Sequence, residues 1–146
     1  MFLKRVTVEN FGPFQGIHTL DLSLSCASGH QRPVTLIGGH NGSGKTSLLE
    51  AIRLCLHGRR ALGNPRTVDY HNHLINRIHH GPGNERADRA SVKLEVSVVQ
   101  NGREHQYEVV RSWLNNLNHP KEDLRIICDD EILQELYADQ YQGFLD

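Results

Sequence analysis

The sequence predicts an α/β protein in which a phosphate-binding loop joins a buried strand to a helix, with an antiparallel β layer beside it. Three observations carry this. The run Val34–Gly39 (VTLIGG) is apolar and β-branched, and glycines end it. Immediately after it, Gly39-His40-Asn41-Gly42-Ser43-Gly44-Lys45-Thr46 matches G-x-x-x-x-G-K-[ST]. Finally, two β-rich runs flank Asn101-Gly102, a dipeptide that favours a two-residue hairpin turn.

Taken in order, LKRVTVE (3–9) is β-rich and roughly alternating, so it reads as the first strand. NFGPFQG (10–16) is a turn, and IHTLDLS (17–23) reads as the returning strand of an antiparallel pair. SCASGHQRP (25–33) is a polar loop. VTLIGG (34–39) has the continuous apolar character of a strand buried on both faces. From Lys45 to His57 the residues Leu48, Leu49, Ile52, Cys55 and Leu56 recur at helical spacing, and Gly58 stands where a helix stops. Residues 59–70 read as loop, YHNHLINRIHH (70–80) as a short helix presenting Leu74, Ile75 and Ile78, and GPGNERAD (81–88) as a polar loop. SVKLEVSVVQ (91–100) and EHQYEVVRSWL (104–114) form the hairpin, with Trp113 expected in its core. DLRIICDDEIL (123–133) is a further strand-like run broken by an acidic turn, and QELYADQYQGFLD (134–146) has helical spacing. There is no internal repeat and no low-complexity tract.

A length of 146 residues fits one domain. With 16 basic against 17 acidic residues, global charge dictates neither a nucleic-acid nor a membrane partner. No 18-residue apolar run provides a membrane span, and the N-terminus lacks the apolar core of a signal peptide, so a cytoplasmic location is expected. Cys26, Cys55 and Cys128 are far apart and form no CxxC pair, which argues against a disulfide framework or a zinc site.

The chemistry lies in the glycine-rich loop. A backbone that curls around phosphate must turn its N–H groups inward, and side chains there would block the approach. A following helix adds unpaired N–H groups and the positive end of its dipole. The expected nucleotide-binding residues are Gly39, Asn41, Gly42, Ser43, Gly44, Lys45, Thr46 and Ser47. Lys45 brings a point charge to the β/γ oxygens, Thr46 ligates Mg²⁺ through its hydroxyl, and Ser47 reaches the α-phosphate. The cofactors are therefore ATP and Mg²⁺.

NGSGKTSLLEAI, behind an N-terminal strand ending in ENFGPF, resembles the head domains of the structural-maintenance-of-chromosomes (SMC) class and its DNA-repair relatives, ABC-type ATPases with a split head. RRALG, YHNHLINRIHHG and the ASVKLEV and YEVVRSW strands further resemble the DndD family, ATPases of bacterial DNA phosphorothioation (sulfur modification). The resemblance covers nearly all of the chain. It implies that 1–146 is the N-terminal Walker A lobe of a P-loop ABC-type (SMC-like) head, without the coiled coil and C-terminal lobe. The implied partners are the C-terminal half of the same head, a second head, DNA and other proteins of the phosphorothioation system, with no membrane. The resemblance also places Asn10 and the loop after it near the nucleotide, with Gly12 and Pro13 where related heads carry a basic residue. Arg59 and Arg60 stand where related heads carry arginines that meet DNA or nucleotide.

Turnover needs carboxylates for the Mg²⁺ shell and for the attacking water. The one Walker B candidate, Ile126-Ile127-Cys128-Asp129-Asp130-Glu131, follows Arg125 and has no LSGG-like signature before it; a solvated acidic turn is the competing reading. Gln140 and Gln142 are candidates for the Q-loop glutamine or for exposed helix positions. The chain alone is thus expected to bind ATP without hydrolysing it. A self-contained small P-loop NTPase and a DNA-binding repair module without turnover stay open. His71, His73, His79 and His80 are candidate metal ligands at helical spacing, with a polar surface helix as the alternative. With Arg77, Arg86 and Arg89 they are also a candidate basic patch.

Overall fold

The structure is a computed structural model, and it describes residues 1–23, 35–63, 65–81, 85–116 and 120–137. Six strands form one antiparallel sheet: β1 (Phe2–Phe11), β2 (Phe14–Asp21), β3 (Arg89–Gln100), β4 (Arg103–Leu114), β5 (Lys121–Cys128) and β6 (Glu131–Tyr137), in the spatial order β2-β1-β3-β4-β5-β6. Two helices, α1 (Lys45–His57) and α2 (Thr67–Arg77), pack on one side of it, joined through a 3₁₀ turn at Gly58–Leu62.

Period-2 patterning sets which face is covered. On β3, Ala90, Val92, Leu94 and Val96 are buried, and the register aligns Val92 with Val8 and Leu94 with Val6 of β1. Ala51, Leu54 and Cys55 of α1 and Tyr70 and Leu74 of α2 close over this row. Phe11 and Trp113 meet at its edge with ring centroids 5.8 Å apart. The opposite face carries an ion-pair mesh instead. Arg5 bridges Asp21 and Glu95, and Lys93 bridges Glu95 and Glu108. Such half-exposed pairs contribute little individually, but they make a face that needs no second layer.

The turns behave as their residues require. Asn101-Gly102 has φ of 52° and 77°, and Asp129-Asp130 has 48° and 69°, both matching the mirror-image turns that suit hairpin twist. The N-terminal pair, the 91–114 hairpin and the acidic turn are therefore found as the sequence predicts, whereas the helix expected over 70–80 runs from Thr67 to Arg77 and leaves Ile78 and His80 outside it, bridged to Phe11 and Arg86 respectively.

Three local expectations are corrected. Residues 35–39 form no strand, and Leu36 and Ile37 are exposed. A strand needs a partner along an edge, and none of the described strands pairs with this segment. Residues 59–70 are not a plain loop: the 3₁₀ turn continues α1, and α2 begins at Thr67. Residues 134–137 continue β6 rather than starting a helix, because pairing with β5 fixes them as strand. The polar loop at 25–33, Cys26, Val34, Gln140 and Gln142 lie outside the described residues.

Candidate nucleotide-binding site

Residues 40–44 make the tight turn that leads into α1, with Gly42 at φ 82° and Gly44 at φ 90°. Ser43 N–H donates to the His40 carbonyl at 3.2 Å, and the first helical bond is Leu48 N–H to the Gly44 carbonyl at 2.8 Å. The amides of Lys45, Thr46 and Ser47 thus stand at the head of a 13-residue helix with no side-chain cap and no acidic residue in its first turn. That is a positive, donor-rich terminus.

The Lys45 ammonium lies inside the loop. Nζ donates to the carbonyls of Gly39 and His40, both at 2.7 Å, with Ser43 Oγ at 3.5 Å. The lysine therefore holds the loop in a curled shape and sets a full positive charge beside the free amides. Thr46 is exposed at the helix head, where a hydroxyl can reach a phosphate-bound cation. The donor set fits ATP with Mg²⁺: amides and an ammonium for the phosphate oxygens, and a hydroxyl oxygen for a hard cation. Gly39, Asn41, Gly42, Ser43, Gly44, Lys45, Thr46 and Ser47 all lie in this one loop and the first turn of α1.

The structure adds a support that the motif does not contain. The β1–β2 turn is pressed against the loop: a Cβ on Gly44 would stand 2.8 Å from Phe14 Cζ and 3.1 Å from Pro13 Cγ. Gly12 lies beside Ser47, where an added Cβ would be 3.3 Å from its side chain. The turn is fixed from behind. Gly12 N–H donates to the Arg77 carbonyl at 2.6 Å, His79 N–H to the Asn10 carbonyl at 2.8 Å, and His79 Nδ1 lies 2.9 Å from the Gly12 carbonyl. Asn10, at φ 49°, accepts from Gly16 N–H and donates to the Arg89 carbonyl. Its side chain shapes the bulge that aims the turn. Sequence spacing could not show this, because Phe14 and Gly44 are 30 positions apart.

The two helices are clamped to one another. Glu50 of α1 accepts from Arg77 at 2.7 Å and meets His73 Nε2 at 2.6 Å. At the far end of α1, the fully buried Arg111 donates to the Cys55 carbonyl at 2.9 Å and to Glu122 at 2.7 Å. Tyr70 donates to the same Glu122 oxygen at 3.0 Å. Burial raises the Tyr70 phenol far above its ordinary range, and the Glu122 charge adds to this.

The other candidates disperse. His73 and His79 serve Glu50 and Gly12 respectively, and His80 pairs with Arg86, so the four histidines do not converge as a ligand set. Arg77 is neutralised by Glu50, which weakens the basic patch. Arg59 donates to Thr67 Oγ1 at 3.0 Å, tying the 3₁₀ turn to α2. Asp129 and Asp130 form the hairpin turn between β5 and β6. Asp129 accepts from Gln106 N–H and bonds His105, both of which lower its carboxyl below the usual range. This is the solvated acidic turn. It joins the two strands at the opposite end of the sheet from the β1–β2 turn that supports the loop.

Comparison with known proteins agrees with this geometry. The model of the AAA_23 family, described as an AAA domain, matches residues 5–146. The chain belongs to this family. It is 46% identical over 55 residues to SbcC of the SbcCD nuclease from Treponema pallidum, covering 38% of this chain and 5% of that protein. Against the DNA replication and repair protein RecF of Haemophilus ducreyi it is 39% identical over 95 residues, or 65% of this chain and 24% of RecF. RecF of Chlorobium luteolum is 40% identical over 67 residues, 46% of this chain and 16% of that protein. The chain thus matches no more than about a quarter of the length of these relatives. Both kinds of relative are SMC-like ABC-type ATPases, the fold class expected from the sequence. No helix among the described residues is long and apolar enough to cross a membrane.

Proposed function

We propose that this chain is the ATP-binding N-terminal part of an SMC-like ATPase that acts on DNA. The observation that carries it is the glycine loop curled around the Lys45 ammonium at the uncapped, acid-free head of α1. Gly39 to Ser47 bind the triphosphate, and Thr46 holds Mg²⁺. ATP binding in the complete protein closes a head dimer, and hydrolysis opens it. The exposed Leu36, Ile37 and Leu49 beside the loop are the apolar surface that the C-terminal half of the head covers.

DNA sulfur modification is the finer assignment, and it rests on the resemblance of RRALG and YHNHLINRIHHG to the DndD family. A DNA-repair head module is the second reading, favoured by the similarity to RecF, a DNA replication and repair protein. Deleting the gene separates the two. Loss of phosphorothioate linkages from genomic DNA by mass spectrometry selects sulfur modification, and damage sensitivity with linkages unchanged selects repair.

The direct test is calorimetric titration of the 146-residue chain with Mg-ATP, alongside steady-state turnover. Wild type binds without turnover, and Lys45→Ala weakens binding at least tenfold. Unchanged affinity in Lys45→Ala would overturn nucleotide binding at this loop. Lysine-dependent turnover by the chain alone would overturn the incomplete-head reading.

A further inference from the structure

A second donor cluster lies far from the loop, where the ends of β4 and β5 meet. His105, Cys128 and Asp129 each offer one ligand atom, and these atoms all lie within 4.8 Å of one another. Strand register brings them together. Tyr107 pairs with Cys128, so His105, two residues before Tyr107, and Cys128 share a sheet face. Asp129, at φ 48°, turns back so that its carboxylate lies 2.7 Å from His105 Nδ1. Its other oxygen accepts from Gln106 N–H at 2.8 Å, which anchors it.

We propose that His105, Cys128 and Asp129 are a three-ligand site for a zinc-type divalent cation, with the fourth position open to solvent. Imidazole nitrogen, thiolate sulfur and carboxylate oxygen together suit a borderline-soft ion, whereas Mg²⁺ and Ca²⁺ seek oxygen shells. A thiolate and a carboxylate also balance a double positive charge. At ordinary zinc bond lengths, donors around a tetrahedral ion stand roughly 3.3–3.8 Å apart. The 2.7 Å His105–Asp129 contact opens by roughly 0.6 Å when the ion replaces the shared proton. Both side chains have the room, being 31% and 49% exposed. Gln106 N–H keeps its hold on Asp129 and orients it as an outer-shell donor does. The ion staples the β5–β6 turn to β4. No motif spacing announces the site, because 22 residues separate His105 from Cys128.

The test titrates the chain with Co²⁺, whose thiolate charge-transfer absorption reports sulfur ligation, and then competes with Zn²⁺. A thiolate band that Zn²⁺ displaces is expected, lost in Cys128→Ser and weakened at least tenfold in His105→Gln and Asp129→Asn. Asn and Gln here keep hydrogen-bonding groups while changing the ligand, and far-UV circular dichroism checks the fold. Lys45→Ala leaves the band intact, which separates this site from the nucleotide loop. A missing band, a band surviving Cys128→Ser, or affinity unchanged in His105→Gln overturns the proposal.

Discussion

Arg111 is the residue whose replacement tests most of the packing argument at once. It is fully buried in the row that otherwise holds Val92 and Leu124, and three elements depend on it. Its guanidinium neutralises Glu122, whose side chain is 14% exposed, and it donates to the Cys55 carbonyl in the last turns of α1. Arg111→Met preserves length and apolar contact but leaves Glu122 charged with Tyr70 as a remaining donor. Removing one partner of a buried pair costs about 3–5 kcal/mol. That is a large share of the roughly 5–15 kcal/mol that stabilises a domain. At roughly 3 °C per kcal/mol for a chain of this size, the midpoint falls by about 10–15 °C. Urea unfolding of Arg111→Met, Glu122→Met and the double variant measures the coupling. The double variant should lose less than the sum of the singles, because no charge is left buried. A cost below about 1 kcal/mol for Arg111→Met would refute the reasoning, since an uncompensated buried carboxylate cannot be that cheap.

Two further predictions follow from the same contacts. Gly44→Ala places a methyl 2.8 Å from Phe14 Cζ at φ 90°, where an L-residue already costs roughly 1–2 kcal/mol; Mg-ATP affinity should fall at least tenfold in calorimetry while the sheet persists by circular dichroism. Burial pushes the Cys55 thiol up to about 12, partly offset by Arg111. The folded pKa is raised, so this stability is fully present below about pH 9. It is lost by about 1.4 kcal/mol per unit as pH rises toward 12. Urea unfolding at pH 8 and 10.5 should show that loss, and Cys55→Ala should lessen it by about 2 kcal/mol.

Much of this protein is determined by short-range chemistry, and the sequence by itself shows that part. Gly39 to Thr46 declare a phosphate loop because only glycines let the backbone turn its amides inward. Asn101-Gly102 sets a hairpin because its residues tolerate positive φ. The β-rich runs on either side of that turn mark the two strands it joins. The tertiary structure decided what depends on residues distant in the chain. Val34–Gly39 has the composition of a strand, yet 35–39 does not become one, because strand formation needs an edge to pair with and apolar character supplies none. His79 is a candidate metal ligand in sequence and turns out to hold the β1–β2 turn through the Asn10 and Gly12 carbonyls. Arg111 is the buried tie between α1 and β5, a role that only the packing of those elements creates. His105, Cys128 and Asp129 look unrelated until β4 and β5 are in register. Pairing and burial are properties of the whole fold, and no local pattern encodes them.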